Sequence, residues 1–471
     1  MTVITPYLDD DHLREECAVF GIYGTTDAAA HTALGLHALQ HRGQEATGIV
    51  ACNGEQFHAH RGLGHVGENF AGDNAGAVDK LIGYAAIGHN RYSTTGVPNL
   101  RNVQPLFADF EFGGLALCHN GNLTNALELR TQMVHEGSLF QSTTDSETII
   151  HLIARSRQAT VIDRVVDALR QIEGAYSVVC LTKNMVVGVR DPLGVRPLVL
   201  GQIGEAYILA SETCALDIIG ANFVRDIEPG EVVIIDDEGI QSLSPFAAVQ
   251  SRFCIFEYVY FSRPDSIVDG VNVYDARRRI GIELAREHPV PGADMVTPVP
   301  DSGTPGAIGF AAEAGVPFDI GIIRNHYVGR TFIEPTQNIR HLGVRLKHNA
   351  NKRIIKGKKI ILVDDSIVRG TTSKKIVEML KSAGAKEIHL RISSPPTTHS
   401  CFYGVDTPDR DKLIAANHNI AEMCKQIGAT SLAFISLDGL YNAISQEKRN
   451  NKNSQYCDAC FSGEYPIEIT S

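Results

Sequence analysis

The sequence predicts two successive domains: an α+β layered domain, and then an α/β domain with a parallel sheet and crossover helices. Up to about residue 237, short β-rich runs alternate with only two helical stretches, which is typical of layered α+β domains. Between about residues 254 and 440, the pattern changes to repeated strand, loop and helix units, as expected for a parallel sheet. The length of 471 residues is enough for two or three domains with cores of their own.

Local patterns predict the individual elements. In the first domain we expect strands at 18–24, 114–120, 176–182, 185–189 and 231–236, and helices at 31–44 and 146–158. In the second domain we expect strands at 294–300, 358–365 and 386–394, with an alanine-rich helix after the first and a helix at 373–385 after the second. Polar, turn-forming residues at 236–245 predict a linker between the domains.

These patterns divide the chain into a leader at residues 1–16, domains at 17–245 and 254–445, and a tail at 446–471. The tail is polar and turn-rich up to Tyr456-Cys-Asp-Ala-Cys-Phe, so we do not expect it to be ordered by a core of its own. The leader is acidic and has no apolar stretch, unlike a secretory or mitochondrial presequence. We therefore expect a cytoplasmic protein.

The composition argues against two classes of protein. The formal net charge is −11, whereas sequence-independent nucleic-acid binding depends on clustered Lys and Arg. No apolar run approaches the roughly 18 residues that a membrane span needs. The ten cysteines are irregularly spaced, and a disulfide framework is not expected where thiols stay reduced. We expect neither nucleic acid nor membrane as a partner, and the cysteines become candidates for catalysis or metal binding.

Cys17 is the first candidate for catalysis. It follows the polar leader and opens a predicted strand, although a cysteine there can also be a small buried hydrophobic residue. If the leader were removed, Cys17 would carry a free α-amino group with an ordinary pKa near about 8. That amine could act as general base for the adjacent thiol, so one residue would supply both nucleophile and base.

Five separated motifs resemble those of the N-terminal-nucleophile glutamine amidotransferases. The resemblance implies the αββα layers of that family, with Cys17 as nucleophile. It also implies that Arg91 and Asp145 bind the carboxylate and the amino group of glutamine, which suits their charges. Asn120 and the N–H of Gly121 would form the oxyanion hole, although alone Arg91 would be an ion-pair partner and Asn120-Gly121 a tight turn. The motifs are Cys17-Ala-Val-Phe-Gly, His41-Arg-Gly-Gln-Glu, Gly88-His-Asn-Arg-Tyr-Ser-Thr, His119-Asn-Gly-Asn and Asp191-Pro-Leu-Gly-Val-Arg-Pro-Leu.

A second candidate site lies at the carboxyl end of the strand predicted at 358–365. Asp364 and Asp365 end this strand, and a turn rich in glycine and hydroxyl groups then opens a helix. Open α/β sheets bind ligands at that end, and the N–H groups of Gly370, Thr371 and Thr372 would favour a phosphate. The carboxylates could hold ribose hydroxyls or Mg²⁺. A solvated loop with an acidic first turn would give the same pattern.

This stretch resembles the signature of the type I phosphoribosyltransferases, which bind phosphoribosyl pyrophosphate. Pro300-Asp-Ser-Gly-Thr-Pro resembles their pyrophosphate loop, with Ser302 as a further Mg²⁺ contact, and Arg324-Asn-His-Tyr-Val-Gly-Arg-Thr-Phe resembles their mobile lid. Such a lid would exclude water from the activated ribose. Local positive charge would come from Arg324, Arg330, Arg345 and Lys347, although such clusters also occur on solvated faces. The residues expected to bind phosphoribosyl pyrophosphate are Asp364, Asp365, Ser366, Arg369, Gly370, Thr371, Thr372, Arg330 and Lys347.

Cys457 and Cys460 form a Cys-x-x-Cys pair in the tail, and Cys254 and Cys401 could complete a set of four. A redox dithiol would lack its usual strand-to-helix setting here. Spacing alone does not separate a zinc site from an iron-sulfur cluster. We expect the other cysteines after Cys17 to be small buried residues, namely Cys52, Cys118, Cys180, Cys214 and Cys424.

Both motif sets, in this order, resemble the amidophosphoribosyltransferases over nearly the whole chain. The resemblance implies that ammonia from glutamine displaces pyrophosphate from phosphoribosyl pyrophosphate, in the first committed step of purine synthesis. One branch of this family has an acidic propeptide and a [4Fe-4S] cluster, which implies Cys254, Cys401, Cys457 and Cys460 as cluster ligands. The resemblance further implies one cluster and one Mg²⁺ per subunit, and a homo-oligomer, dimer or tetramer, inhibited by purine nucleotides.

Two other functions fit parts of the sequence. A glucosamine phosphate synthase has the same kind of first domain, but Val363-Asp-Asp-Ser-Ile-Val-Arg-Gly-Thr-Thr argues against it. A catalytically dead sensor would keep the fold, yet every catalytic position is filled. The cluster ligands fall outside both substrate motifs, so we expect a structural cluster. Because apolar residues near Cys457 are few, metal-thiolate bonds should supply most of the energy that orders the tail.

Overall fold

The structure is a computed structural model that describes residues 17–74, 76–92, 99–325, 348–405, 407–467 and 469. In the first half the strands are β1 Ala18–Tyr23, β2 Ala46–Cys52, β3 Phe57–Leu63, β4 Ala85–Arg91, β5 Leu106–Phe110, β6 Gly113–Leu123, β7 Gly174–Leu181, β8 Val186–Arg190, β9 Val199–Ile203, β10 Ala206–Ala210, β11 Asn222–Asp226, β12 Val232–Asp236 and β13 Gly239–Leu243. The helices are α1 Ala28–Ala38, α2 Val66–Phe70, α3 Gly76–Asp79, α4 Ala126–His135, α5 Ser146–Arg155, α6 Val161–Leu169 and α7 Cys214–Ile218.

Two antiparallel sheets stack face to face in this half. Their strand orders are β11-β9-β10-β1-β4-β2-β3 and β13-β12-β8-β7-β6-β5. Alternate residues of the facing strands, such as Val19, Ile87 and Val179, form a core between the sheets. Helices α1 and α7 cover the outer face of the first sheet, and α5 and α6 cover that of the second. The four layers confirm the α+β fold predicted for this half.

The second half contains further strands and helices. The strands are β14 Phe253–Cys254, β15 Ile267–Val268, β16 Val271–Asn272, β17 Met295–Pro298, β18 Ile322–Arg324, β19 His348–Ala350, β20 Lys359–Asp364, β21 Glu387–Ile392, β22 Ser431–Phe434 and β23 Tyr456–Cys457. The helices are α8 Val273–Glu287, α9 Thr304–Ala314, α10 Lys352–Ile355, α11 Thr371–Ser382, α12 Ile414–Asn417, α13 Ile420–Ile427, α14 Leu437–Ser445 and α15 Ala459–Ser462.

A parallel sheet with the order β17-β20-β21-β22 organises this half. Helices α9, α11 and α13 follow β17, β20 and β21 in the chain, so they are the expected crossover connections. Helices α8, α9 and α14 pack on one face of the sheet, and α11 and α13 pack on the other. The predicted α/β fold is confirmed. Among the described helices, none has both the length and the apolar character that crossing a bilayer requires.

Several predicted boundaries differ from the structure, for example at the helices observed at Ser146–Arg155 and Thr371–Ser382, and two differences have a clear physical cause. The helix expected at 31–44 is Ala28–Ala38, because the chain leaves the α-helix at Leu39 and continues as a 3₁₀ turn at Gln40–Arg42. The stretch 236–245, predicted as a linker, contains β13, which pairs with β12. β13 is an edge strand whose side chains are partly exposed. Its polar composition therefore resembles that of a linker.

The tail has contacts besides the predicted metal ligands. β23 pairs in parallel with β14, and Tyr456 and Phe461 are buried in the core of the second half. Arg449 forms an ion pair with Asp458 at 2.6 Å, and both side chains are nearly inaccessible to water. A few apolar residues thus help to order the tail by packing into a core that a neighbouring domain already provides, and the share supplied by metal-thiolate bonds stays a prediction.

Buried charges join the two halves. Arg42 is fully buried and forms ion pairs with Glu212 of the first half and Glu257 of the second. Glu257 also lies 3.6 Å from Nη1 of the buried Arg196. Burial alone would lower the pKa of Arg42, but the attraction of Glu212 and Glu257 raises this pKa above its ordinary value. Each charge depends on its partners, because an unpaired buried ion is strongly unfavourable.

We expect Arg42→Met to lower the free energy of unfolding by roughly 3 to 5 kcal/mol at pH 7, because it leaves Glu212 and Glu257 buried without their shared cation. Burial raises the pKa of Glu212 and the charge of Arg42 lowers it, so without Arg42 the loss should shrink as the pH falls and Glu212 becomes protonated. Urea unfolding at pH 7 and pH 5 measures both effects. Arg286→Met, at a side chain that is 54% exposed, is the control. Equal stability of the two variants at pH 7 would contradict the prediction.

Candidate glutamine, phosphoribosyl and cysteine sites

A cavity in the first half contains Cys17. Its volume is about 350 Å³, and its lining includes Cys17, Arg91, Gly121 and Asp145. Cys17 lies directly before β1, and Arg91 ends the neighbouring strand β4. Gly121 lies near the end of β6, and Asp145 is the N-cap of α5. The structure thus brings the predicted nucleophile together with both residues predicted to bind glutamine.

The thiol of Cys17 is half-buried and donates to the carbonyl of Tyr92 at 3.6 Å. Burial raises the pKa of this thiol, and the positive charge of Arg91 opposes the shift. Because a thiol with a raised pKa is protonated at neutral pH, it needs a base before it can act as a nucleophile. Residues 1–16 lie outside the described residues, so removal of the leader stays a prediction.

Hydrogen bonds fix the orientation of Arg91 and Asp145. Nη1 of Arg91 donates to the carbonyl of Asn102 at 2.8 Å. One oxygen of Asp145 accepts from the N–H of Leu123 at 3.0 Å, and the other accepts from the N–H of Ser146 at 2.8 Å. A guanidinium and a carboxylate in one cavity suit an α-amino acid, whose carboxylate and ammonium groups have the opposite charges.

Strand β6 supplies the candidate oxyanion donors. In an antiparallel ladder the N–H groups of every second residue point to the same side of the strand. The N–H groups of His119 and Leu123 donate to side chains on the side away from β7. The N–H of Gly121, which lies between them in this alternation, points to that same side. The pairing with β5 ends at Leu117, before this part of β6. By the same alternation Asn120 points into the space between the sheets, where it is fully buried. Unlike Gly121, it does not line the cavity.

The amide of Asn120 has a further property that bears on its predicted role. Among the described residues, neither its Nδ2 nor its Oδ1 has a hydrogen-bond partner. A buried polar group without a partner is unfavourable and uncommon in native proteins. Asn120 therefore keeps a donor available, although it does not line the cavity that contains Cys17.

Sequence reasoning missed a set of hydrogen bonds next to the cavity that fixes the backbone of His119 in β6. Oε1 of Gln104 accepts from the N–H of His119 at 2.7 Å, and its Nε2 donates to Ser146 at 3.0 Å. Nε2 of the buried His89 donates to the carbonyl of His119 at 3.0 Å, and burial lowers the pKa of His89 to about 3, so it stays neutral. His89 and His119 belong to recognised motifs, whereas nothing in the sequence marks Gln104.

The second predicted site lies at the carboxyl end of the parallel sheet. Asp364 ends β20 and Asp365 follows it, and each is only 1% exposed. The two carboxylate oxygens of Asp365 accept from the hydroxyls of Ser302 and Ser366, both at 2.6 Å. Because Ser302 follows β17, which neighbours β20, the two predicted loops do meet. Their oxygens are hard ligands of the kind that Mg²⁺ prefers.

Helix α11 starts directly after this loop. Gly370 is its N-cap with a φ of +79°, and Thr371 and Thr372 are its first residues. The N–H groups of a first helical turn have no intrahelical acceptors, so they can bind a phosphate. Oγ1 of Thr371 is buried and has no partner among the described residues. Arg369, beside this helix start, is exposed.

The basic residues predicted to meet the phosphates are only partly described. Arg324 ends β18 and forms an exposed ion pair with Asp301. Arg330, Arg345, Lys347 and most of the predicted lid lie outside the described residues. Their roles therefore stay predictions.

The four cysteines predicted as cluster ligands line one cavity. Cys254 and Cys457 are paired residues of β14 and β23, Cys460 lies in α15, and Cys401 comes from the loop after β21. The buried side chain of Arg196, from the first half, lines the same cavity. In the described part of the chain, no three or more His, Cys, Asp or Glu side chains are grouped to hold a single metal ion. The thiols thus share a cavity without being grouped around one point.

The cysteines predicted to be small buried residues follow that prediction with one exception. Cys424 is half-buried, because it lies on α13, a helix that packs on the outer side of the second half. Its thiol donates to the carbonyl of Ala429 at 3.4 Å. The buried ones are Cys52, Cys118, Cys180 and Cys214.

Sequence profiles of known domains match both halves. The profile of a glutamine amidotransferase domain matches residues 89–217, and that of a phosphoribosyl transferase domain matches residues 265–393. The fold and the two sites thus define a glutamine amidotransferase joined to a phosphoribosyltransferase. The alternative with a sugar-phosphate isomerase as second domain is wrong.

Similar proteins extend over the full length. The chain is 55% identical to the amidophosphoribosyltransferase of Rhizobium etli, over 98% of this chain and 94% of that protein. It is 49% identical to that of Bacillus subtilis, over 97% of this chain and 95% of that protein. The solved Bacillus subtilis glutamine phosphoribosylpyrophosphate amidotransferase, complexed with ADP and GMP, superposes with a TM-score of 0.91 at 47% identity, covering 97% of this chain and 98% of that one. The chain therefore belongs to the amidophosphoribosyltransferase family, as its motifs predicted.

Proposed function

We propose that glutamine is hydrolysed at Cys17 and that the released ammonia attacks C1 of phosphoribosyl pyrophosphate beside Asp364 and Asp365. The products are phosphoribosylamine, glutamate and pyrophosphate, in the first committed step of purine synthesis. The proposal rests on the cavity that Cys17 shares with Arg91 and Asp145. It combines a nucleophile with the cation and the anion that an α-amino acid needs.

The residues of this cavity have distinct tasks in glutamine hydrolysis. Arg91 binds the carboxylate of glutamine, and Asp145 binds its ammonium group. The thiolate of Cys17 attacks the side-chain amide carbon, and the N–H of Gly121 with the amide of Asn120 stabilises the oxyanion. The α-amino group of Cys17, freed by removal of the leader, takes the thiol proton and passes it to the leaving ammonia. Water then releases glutamate from the thioester.

We expect Cys17→Ala to lower glutamine-dependent synthesis by roughly 10³-fold or more. Synthesis from high concentrations of free ammonia should persist, because the phosphoribosyl site does not use the thiol. Pyrophosphate release with each nitrogen donor measures both activities. Cys52→Ala, at a buried cysteine of the same half, is the control and should retain both. Equal loss of the two activities in folded Cys17→Ala would argue against two separable sites.

We propose that one Mg²⁺ per subunit binds at Asp364, Asp365 and Ser302. Two buried carboxylates and an adjoining hydroxyl fit this ion, which usually takes one or two carboxylates and completes its shell with water and substrate phosphates. When bound, Mg²⁺ neutralises charge on the departing pyrophosphate. The N–H groups of Gly370 and Thr371 would hold a phosphate at the start of α11.

We expect Asp365→Asn to raise the KM for phosphoribosyl pyrophosphate by at least about tenfold with either nitrogen donor, since the amide has no negative charge for Mg²⁺. Initial rates at limiting Mg²⁺ measure the effect. Asp438→Asn makes the same chemical change at an exposed position of the second half and should leave the kinetics unaltered. Unchanged kinetics of Asp365→Asn at limiting Mg²⁺ would remove Asp365 from the site.

We propose that one [4Fe-4S] cluster per subunit occupies the cysteine cavity. The proposal is supported by four thiols in one cavity and by the buried guanidinium of Arg196 beside them, which offsets the charge of metal-bound thiolates. None of the four cysteines lines the glutamine cavity. The cluster would therefore have a structural role, crosslinking the second half to the tail.

We expect protein prepared without oxygen to contain about four iron and four sulfide ions per chain, and Cys457→Ser to lose both. Air should bleach the brown protein and release iron and sulfide together with activity. Because Tyr456 and Phe461 are buried in the core of the second half, the tail should stay attached after cluster loss. We expect it only to be cleaved faster by proteases. Cys424→Ser, outside the cavity, is the control. Zinc in place of iron, or unchanged stability and oxygen tolerance of Cys457→Ser, would contradict the proposal.

We further propose that the protein is a cytoplasmic homo-oligomer, either a dimer or a tetramer, and that purine nucleotides inhibit it. The Bacillus subtilis relative, which is complexed with ADP and GMP, supports the inhibition. Titration of glutamine-dependent activity with ADP and GMP tests inhibition, and light scattering measures the oligomeric state.

A further inference from the structure

A short segment of the second half, residues 401–405, separates the cysteine cavity from the glutamine cavity. Cys401, Tyr403 and Val405 line the cysteine cavity. Gly404 instead lines the glutamine cavity, together with Cys17. One segment therefore contributes to the walls of both cavities.

Gly404 lies directly against the backbone of Gly121. A Cβ atom at Gly404 would lie 3.1 Å from Cα of Gly121 and 3.2 Å from its carbonyl carbon, which is closer than an ordinary van der Waals contact. The φ of Gly404 is +115°, a region that favours glycine. Beside this contact, Nδ2 of Asn122 donates to the carbonyl of Phe402 at 2.9 Å. Backbone segments from the two halves thus pack where a side chain at Gly404 would crowd Gly121.

The opposite side of the segment is anchored in the tail and in its own loop. Tyr403 is 1% exposed, and its hydroxyl donates to the carbonyl of Ile467 at 2.9 Å and accepts from the N–H of Ile467 at 3.1 Å. The N–H of Cys401 donates to the hydroxyl of Thr407 at 2.7 Å. These bonds fix the position of Gly404 against Gly121.

We propose that segment 401–405 is a positioning element for glutamine hydrolysis. In this proposal Gly404 holds the backbone of Gly121 so that the N–H of Gly121 is directed at the oxyanion. This inference rests on the role of Gly121 proposed above. An oxyanion donor is effective when it is in place before charge develops, so its displacement lowers kcat more than it raises KM.

The test uses the full chain with Gly404→Ala. We expect kcat for glutamine-dependent synthesis to fall about tenfold to a hundredfold, while the KM for glutamine and the ammonia-dependent rate change by less than about threefold. Tyr403→Phe, which removes the bonds to Ile467 without touching the glutamine cavity, should lower the same kcat by a smaller factor. Gly428→Ala is the control, since Gly428 also has a positive φ of +81° but its nearest neighbour, Nζ of Lys381, lies 3.5 Å from the added Cβ.

Three outcomes would overturn the inference. In the first, Gly404→Ala and Tyr403→Phe both have the same glutamine-dependent kcat as the Gly428→Ala control. The second is an equal loss of glutamine-dependent and ammonia-dependent activity in folded Gly404→Ala. The third is loss of iron and sulfide from Gly404→Ala, which would place the defect in the cysteine cavity. Glutamine-dependent activity that survives in Cys17→Ala would instead contradict the proposed function, so the two failures are distinguishable.

Discussion

One buried cation constrains the relative position of the two halves. Arg42 has no access to water, and carboxylates from both halves, Glu212 and Glu257, surround it. Attraction between such charges is strong in a medium of low dielectric constant, but the desolvation of three ions offsets much of it. We infer that the ion pairs contribute more to fixing the relative placement of the two halves than to the free energy of folding. If one half slid on the other, a buried charge would lose its partner.

Glu257 extends this constraint to the cysteine cavity, because it also pairs with Arg196 at 3.6 Å. Alternating charges thus run from Glu212 through Arg42 and Glu257 to Arg196, which lines the cavity beside Cys254. Burial alone would lower the pKa of Arg196, but the negative charges that Cys254 and Glu257 carry when ionised raise it. Arg196 therefore stays a cation, and it can offset the charge of thiolates that bind metal.

Elements and site residues could be predicted from the sequence where a hydrophobic period or a motif lies within one segment. The apolar strand β20 and the carboxylates that end it were predicted, and the cavity of Cys17 contains the expected Arg91 and Asp145. Features that depend on a distant partner were not predicted. Gln104 has its role only because the N–H of His119 reaches it, β13 is a strand only because β12 pairs with it, and the tail is ordered by a core that other segments build.

The contact between Gly121 and Gly404 depends on the same kind of distant partner. A Cβ atom at Gly121 would lie 2.0 Å from the carbonyl oxygen of Ala175, so its own sheet requires glycine there. A side chain at Gly404 would in turn crowd Gly121. A small shift between the halves would therefore change the contact between Gly404 and the candidate oxyanion donor Gly121. Apolar surfaces tolerate such a shift because their attraction is non-directional, whereas buried ions such as Arg42 do not tolerate the loss of a partner. The ion pairs at the junction thus suit a candidate site to which both halves contribute lining residues.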